Sequence, residues 1–245
     1  MTAGAIDAWA TDRPQRFFIV IALVALAVAL TGFAGTFFLP VAQGRFAAPP
    51  IVFVHGGLAF AWVLMFVIQP SLIALGRYDI HARTGLLGLL IALALALSGP
   101  FVGLVQVERE LAAGLGPTAV SGLVGVFTSL GIFLGLVVAA VALRGRPDFH
   151  KRLMLLATIV VLWPAWFRFR HYFPDVPRPD IWFGVVAPDC LMLAAALRDR
   201  LVHGRVHPVW LWVAPPIVAE QFAEVLLFDS APWRAVAQAL YAWLG

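Results

Sequence analysis

Apolar runs of about twenty residues recur along the whole chain, and nothing constrains its fold more. A stretch of that length is what an α-helix needs to cross the hydrocarbon core of a bilayer, at 1.5 Å per residue. Seven such runs stand at roughly 17–39, 51–75, 82–105, 119–143, 150–169, 181–197 and 208–228. A backbone in lipid must satisfy its own hydrogen bonds, so runs of this kind fold as helices. Composition agrees: 62% of the residues are hydrophobic and only 12% charged, against about a quarter charged in soluble domains. The expected class is therefore all-α, one integral membrane bundle of seven transmembrane helices spanning residues 1–245. Residues 231–244 are too short to span. Trp233, Val236, Leu240 and Trp243 give them one apolar face, which predicts a helix lying in the membrane interface. Ser230 stands where it would cap that helix.

Charge sets the expected orientation. With seven spans the termini lie on opposite sides. The loops on the amino-terminal side hold eleven basic residues, Arg13, Arg16, Arg77, Arg83, Arg144, Arg146, Lys151, Arg152, Arg198, Arg200 and Arg205. The other side holds six, Arg45, Arg109, Arg168, Arg170, Arg178 and Arg234. The positive-inside rule then places the amino terminus in the cytoplasm. The pI near 10 reflects these short loops and carries no nucleic-acid signal. One cysteine, Cys190, excludes an internal disulfide and a cysteine-cluster metal site. The only lysine, Lys151, is absent from the seventh span, which excludes a retinal Schiff base there. No P-loop, GxSxG, HExxH or CxxC pattern occurs.

One eight-residue word occurs twice. Residues 76–83 read GRYDIHAR and residues 145–152 read GRPDFHKR, so both fit GRxDxHxR. Each copy closes one apolar run and opens the next. Asp79 and Asp148 are expected as helix caps, with His81 and His150 in the first turns that follow. The repeat thus predicts two equivalent histidines at two helix mouths on the cytoplasmic side. His55 lies 21 residues before Gly76, and His171 lies 21 residues after His150. At 1.5 Å per residue both stand roughly 30 Å away, on the outer face. Two stacked histidine pairs are the requirement of two b-type haems, each iron taking two axial imidazoles. Arg77, Arg83, Arg146 and Arg152 are then candidates for the haem propionates. A second reading of the same turns is a metal site using His81 and His150 with Asp79 and Asp148. A third is a structural membrane subunit whose histidines touch lipid headgroups. His203 and His207 are read as solvated loop residues.

Charged groups inside the spans are costly in lipid and usually face a partner in the bundle. Counted along their helices, Arg168 and Glu224 reach similar depth, which predicts a buried pair. Asp189 falls near the midplane and Glu220 one turn from Glu224. Gly122, Gly125, Gly131 and Gly135 in the fourth run predict close helix packing.

The histidines carry a resemblance. His55-Gly56-Gly57, Gln69 and His81-Ala82-Arg83-Thr84-Gly85, followed by His150-Lys151-Arg152-Leu153-Met154 and Arg168, resemble a bacterial family of multi-helix membrane proteins of uncharacterised function. The likeness covers about residues 50–170. More distantly, topology and histidine placement resemble the four-histidine transmembrane b-type cytochromes. That likeness implies haem b, transmembrane electron transfer, and a membrane or quinone redox partner beside the surrounding lipid. The chain departs from those cytochromes in carrying His150 and His171 on one helix.

Overall fold

The computed structural model describes residues 15–245. Arg13, counted above for orientation, lies outside them. The described residues are helical with short connections and no strand. Seven helices are long and apolar enough to cross a membrane: α1 Arg16–Ala42, α2 Pro50–Ala74, α3 Tyr78–Ala112, α4 Gly116–Ala142, α5 Pro147–His171, α6 Pro179–His203 and α7 Val209–Leu227. A final helix, α8, covers Ala231–Leu244. The protein is an all-α, seven-helix membrane bundle.

The ends differ from the sequence reading mainly at α3. The third run, expected to end near residue 105 with Arg109 in the loop beyond it, continues as helix through Glu108, Arg109 and Glu110 to Ala112. These are good helix formers, and Gln106 Nε2 donates to Glu110 Oε1 one turn on, at 2.6 Å. With 35 residues, α3 is roughly 52 Å long, well beyond a ~30 Å hydrocarbon core. The basic turn expected from Arg198 also shortens, because α6 runs on to His203 and ends at Gly204, whose φ is +70°.

Prolines write the irregularities. Wide π turns occupy Ala34–Phe38, Trp182–Val186 and Val209–Val213. Each lies just before a proline: Pro40, Pro188 and the Pro215-Pro216 pair. Proline lacks an N–H and its ring crowds the carbonyl one turn back, so a wider turn accommodates it. Pro164 does something sharper in α5. The helix breaks at Leu162, resumes over Trp163–Phe167 and closes as a 3₁₀ turn, Arg168–His171.

Consecutive helices from α1 to α5 pack as neighbours, and α5 also meets α1, α6 and α7. Over its most apolar window α5 is 56% buried, more than any other span, which makes it the axis of the bundle. Leu153, Leu155, Leu156, Ala157, Ile159 and Val160 form its core stripe against Phe133, Val137 and Ala140 of α4 and Ala25 and Ala29 of α1. Trp62 ties α2 to α5 by donating its indole N–H to Thr158 Oγ1 at 3.2 Å. Close approaches occur at Gly32, Gly99, Gly103 and Gly125. Of the four α4 glycines expected to serve packing, only Gly125 has a neighbour; Gly122, Gly131 and Gly135 border open space.

The last helix is amphipathic, as its pattern requires, but its apolar side docks on the bundle. Ala237 is fully buried with Val107, Val120, Leu123 and Val124, and Trp233, Leu240, Tyr241 and Leu244 pack around them. Val236 and Trp243 stay exposed. Ser230 precedes the helix but makes no side-chain cap bond. Asp229 anchors the joint instead, accepting from Thr118, Ser121 and Arg234. These donors, Arg234 first, hold the Asp229 carboxyl down at about 2.

Candidate functional site

The two GRxDxHxR words open their helices in the same register, after different reversals of the chain. Gly76, at φ +70°, reverses the chain after α2. In the second copy the Arg146 N–H donates to the Leu143 carbonyl. Helices then begin at Tyr78 and Pro147, with Arg77 and Arg146 in the cap positions. His81 and His150 are both the fourth helical residue, and their main-chain N–H groups donate to Arg77 and Arg146 respectively, at 3.0 Å in each case. The aspartates do not cap: each sits inside the first turn, and no side-chain cap bond forms. Asp79 is exposed.

The repeat brings its two histidines together. The ring centroids of His81 and His150 lie 6.2 Å apart with planes at 87°. Two imidazoles that share one metal keep their ring centres roughly 6 Å apart, from two metal–nitrogen distances of about 2 Å and the two ring radii. His150 Nδ1 lies 2.8 Å from the Ala140 carbonyl on α4. A carbonyl only accepts, so His150 donates from Nδ1, and the neutral tautomer that does so has its lone pair on Nε2. That arrangement orients a metal-ligating histidine. His81 Nδ1 is buried and has no hydrogen-bond partner. Beside it, Gln69 Nε2 of α2 donates to Thr84 Oγ1 at 2.9 Å, and Thr84 donates to the Ile80 carbonyl at 2.7 Å.

The flanking arginines separate. Arg77, Arg83 and Arg146 are exposed around the mouth, with the Arg146 guanidinium 4.1 Å above the Phe149 ring. Arg152 is no propionate partner. It is 0% exposed and gives a bidentate pair to Asp199 of α6, Nε to Oδ2 at 2.6 Å and Nη2 to Oδ1 at 2.5 Å. Helical pitch explains this: a residue two positions after His150 points about 200° around α5, into the bundle. Arg83 bears the same relation to His81.

Asp148 also turns inward, to His207 Nε2 at 3.3 Å. His207 is therefore no solvated loop residue. It is 1% exposed, accepts the Val209 N–H on Nδ1 at 3.2 Å, and lies edge-on to Phe149, 4.6 Å between centroids. Burial, reinforced by Arg152 and opposed by Asp148 and Asp199, pushes its imidazole down to about 4. Trp210 completes the network by donating to Asp199 at 2.8 Å. His203 is half-buried. With Asp79 in solvent and Asp148 on His207, the four-residue metal site does not assemble. Among the described residues no three His, Cys, Asp or Glu side chains gather as metal ligands.

The outer pair does not form. His55 Nδ1 bonds Ser98 Oγ of α3 at 2.9 Å, while His171 is exposed at the 3₁₀ end of α5. Ser98 lies 17 residues beyond His81, roughly 26 Å along α3. Arg168 and Glu224 do not meet either. Arg168 donates to Pro164 O at 2.6 Å and Thr36 Oγ1 at 3.1 Å, and stacks 4.1 Å over Phe33. The break at Pro164 swings this end of α5 toward α1, so equal depth does not become contact. Glu224 lies instead against Gly125 of α4, with Glu220 one turn away. Asp189 is buried and pairs with Gln221, whose amide reaches both carboxylate oxygens at 3.0 and 3.2 Å in the orientation that satisfies both groups.

Asp199, Trp210 and Ser98 escaped the sequence reading. A carboxylate between two arginines in a basic segment looks solvated, and only the fold shows which arginine it faces. No family model, curated protein or solved structure matches this chain.

Proposed function

We propose that this integral membrane protein is a redox protein holding one b-type haem between His81 and His150. The observation that carries the reading is the 6.2 Å approach of the two rings. Donor count supports haem over a bare ion. The protein offers two neighbouring imidazoles with, among the described residues, no third His, Cys, Asp or Glu gathered beside them, and a porphyrin needs only two axial ligands from protein. His150 is held by Ala140 with Nε2 free, and His81 is half-buried at the equivalent turn. Arg77 and Arg146, in the two cap positions, are the cations placed for propionates; Arg152 faces Asp199, and Arg83 points around the helix from His81.

A haem here would supply one-electron chemistry. The chain's own part is to orient two imidazoles, offer cations at the mouth and enclose the site between α3 and α5. Because His55 and His171 stay apart, this reading has one haem on the side of the repeated turns and no relay across the bilayer. Electrons would be exchanged at that face with a quinone in the membrane or a partner protein. On the charge count that face is the cytoplasmic side of a bacterial inner membrane.

Haem content tests the proposal. Protein purified from haem-sufficient cells is expected to carry one non-covalent haem per chain. Colourless protein under those conditions overturns the reading, and two haems per chain would contradict the single-site form of it.

A further inference from the structure

Two buried polar atoms near the repeated turn lack a hydrogen-bond partner: Gln69 Oε1 and His81 Nδ1. They stand on adjacent, packed helices, α2 and α3. Gln69 is not free to turn away, because its Nε2 is fixed on Thr84 Oγ1 at 2.9 Å. Thr84 in turn donates to the Ile80 carbonyl, so its oxygen is available to accept and the amide orientation is set. Thr84 follows His81 by three residues, which puts both on one face of α3, their Cβ atoms about 5–6 Å apart. The acceptor end of Gln69 therefore lies within about one helical turn of the His81 ring. A neutral imidazole has one N–H and one lone pair, and a carboxamide oxygen only accepts. Buried groups left in this state cost free energy that a mutual bond recovers.

We infer that Gln69 is the positioning residue for His81: its Oε1 takes the Nδ1–H of His81, directly or through one water, and keeps the lone pair on Nε2. This gives His81 what Ala140 gives His150, a main acceptor on Nδ1 supplied by the preceding helix. Both imidazoles then present Nε2 lone pairs at the same helical position. The functional meaning of the bond rests on the proposed reading of His81 as an iron ligand; the bond itself does not. The competing acceptor is the Gln69 main-chain carbonyl, which also lies within reach of the ring, and the experiment must separate the two.

Ring-nitrogen shifts of nitrogen-15-labelled histidine, read on the full chain in lipid nanodiscs without added haem, report the tautomer directly. His81 is assigned by the resonances lost in His81→Ala. The wild type is expected to carry the His81 proton on Nδ1. Gln69→Leu keeps the main-chain carbonyl and removes Oε1, so His81 is expected to move toward the Nε2–H form, while Gln69→Glu keeps Nδ1–H. Thr84→Val, which frees the amide without touching it, should move His81 the same way as Gln69→Leu. His150, held by Ala140, should not change in any of them. A wild-type His81 protonated on Nε2, or an unchanged tautomer in Gln69→Leu and Thr84→Val, overturns the inference. In haem-loaded protein the reduction potential should fall in Gln69→Glu relative to Gln69→Leu, because a carboxylate acceptor makes the imidazole more electron-rich. Colourless protein with the predicted tautomer shifts would remove the haem reading and leave this bond standing.

Discussion

Breaking the Arg152–Asp199 pair should cost far more than removing it. Arg152 is 0% exposed and Asp199 2%. Three guanidinium nitrogens are engaged, Nε and Nη2 with Asp199 and Nη1 with the Asp148 carbonyl at 2.7 Å. Asp199 accepts further from Trp210 Nε1 at 2.8 Å and Arg198 Nη1 at 3.3 Å. Arg152→Met leaves a buried carboxylate with its best partner gone. Asp199→Leu leaves a buried guanidinium without its carboxylate. Each is expected to cost about 3–5 kcal/mol, since the remaining charge stays desolvated and has lost its bidentate partner. The double variant Arg152→Met/Asp199→Leu buries no charge at this position, so its loss should fall well below the sum of the two, by several kcal/mol. The assay is reversible unfolding in mixed micelles by SDS titration, followed by tryptophan fluorescence. Single losses below about 1 kcal/mol, the range of surface pairs, would refute the buried geometry. A double variant whose loss equals the sum would refute the pairing.

The buried His207 makes a pH prediction. Its imidazole lies at about 4 in the fold against about 6.5 in the unfolded chain, so the unfolded state binds the extra proton between those values. Stability should fall as pH drops through that window, by ~3 kcal/mol in all, and His207→Gln should flatten the SDS midpoint across it; Asp148, Asp199 and Arg152 are the charged groups facing the ring. Gly32→Ala would place a Cβ 2.3 Å from the Ala165 carbonyl oxygen; a backbone atom cannot step aside, so a loss of about 1–3 kcal/mol in the same titration is expected, and an unchanged midpoint would contradict the α1–α5 contact. Reporter fusions at Gly76, Gly145 and Gly204 should all report the cytoplasm, and an external signal at Gly76 or Gly145 would reverse the orientation.

The fold was largely legible because the bilayer requires one thing, apolar runs of a given length. Charge misled at α3, where Glu108, Arg109 and Glu110 read as a loop; they mark where the helix leaves lipid, and helical hydrogen bonding continues past that point. The wide turns before Pro40, Pro188 and Pro215 were marked by proline, but a proline announces a disturbance without choosing among kink, π turn and break. The inner histidines were legible because a repeated word opened two helices in the same register. The outer pair was not, because depth along a helix says nothing of azimuth. His55 faces Ser98 on α3, and Pro164 decides where His171 ends. Arg168 and Glu224 failed for the same reason. Arg152 fell to a simpler omission, since two residues along a helix reverse the direction a side chain points. His207 looked like a loop residue because Asp148 and Phe149 become its neighbours only once α5 packs beside the start of α7.

The reduced-minus-oxidised absorption spectrum of purified protein, taken on wild type, His81→Ala, His150→Ala and His203→Ala, bears most directly on the central claim. Two imidazoles on one iron give a low-spin haem with sharp reduced bands. The wild type and His203→Ala should show that spectrum, and loss of either His81 or His150 should abolish or shift it. A wild type without those bands, or bands untouched in both His81→Ala and His150→Ala, would contradict a haem held between these two rings.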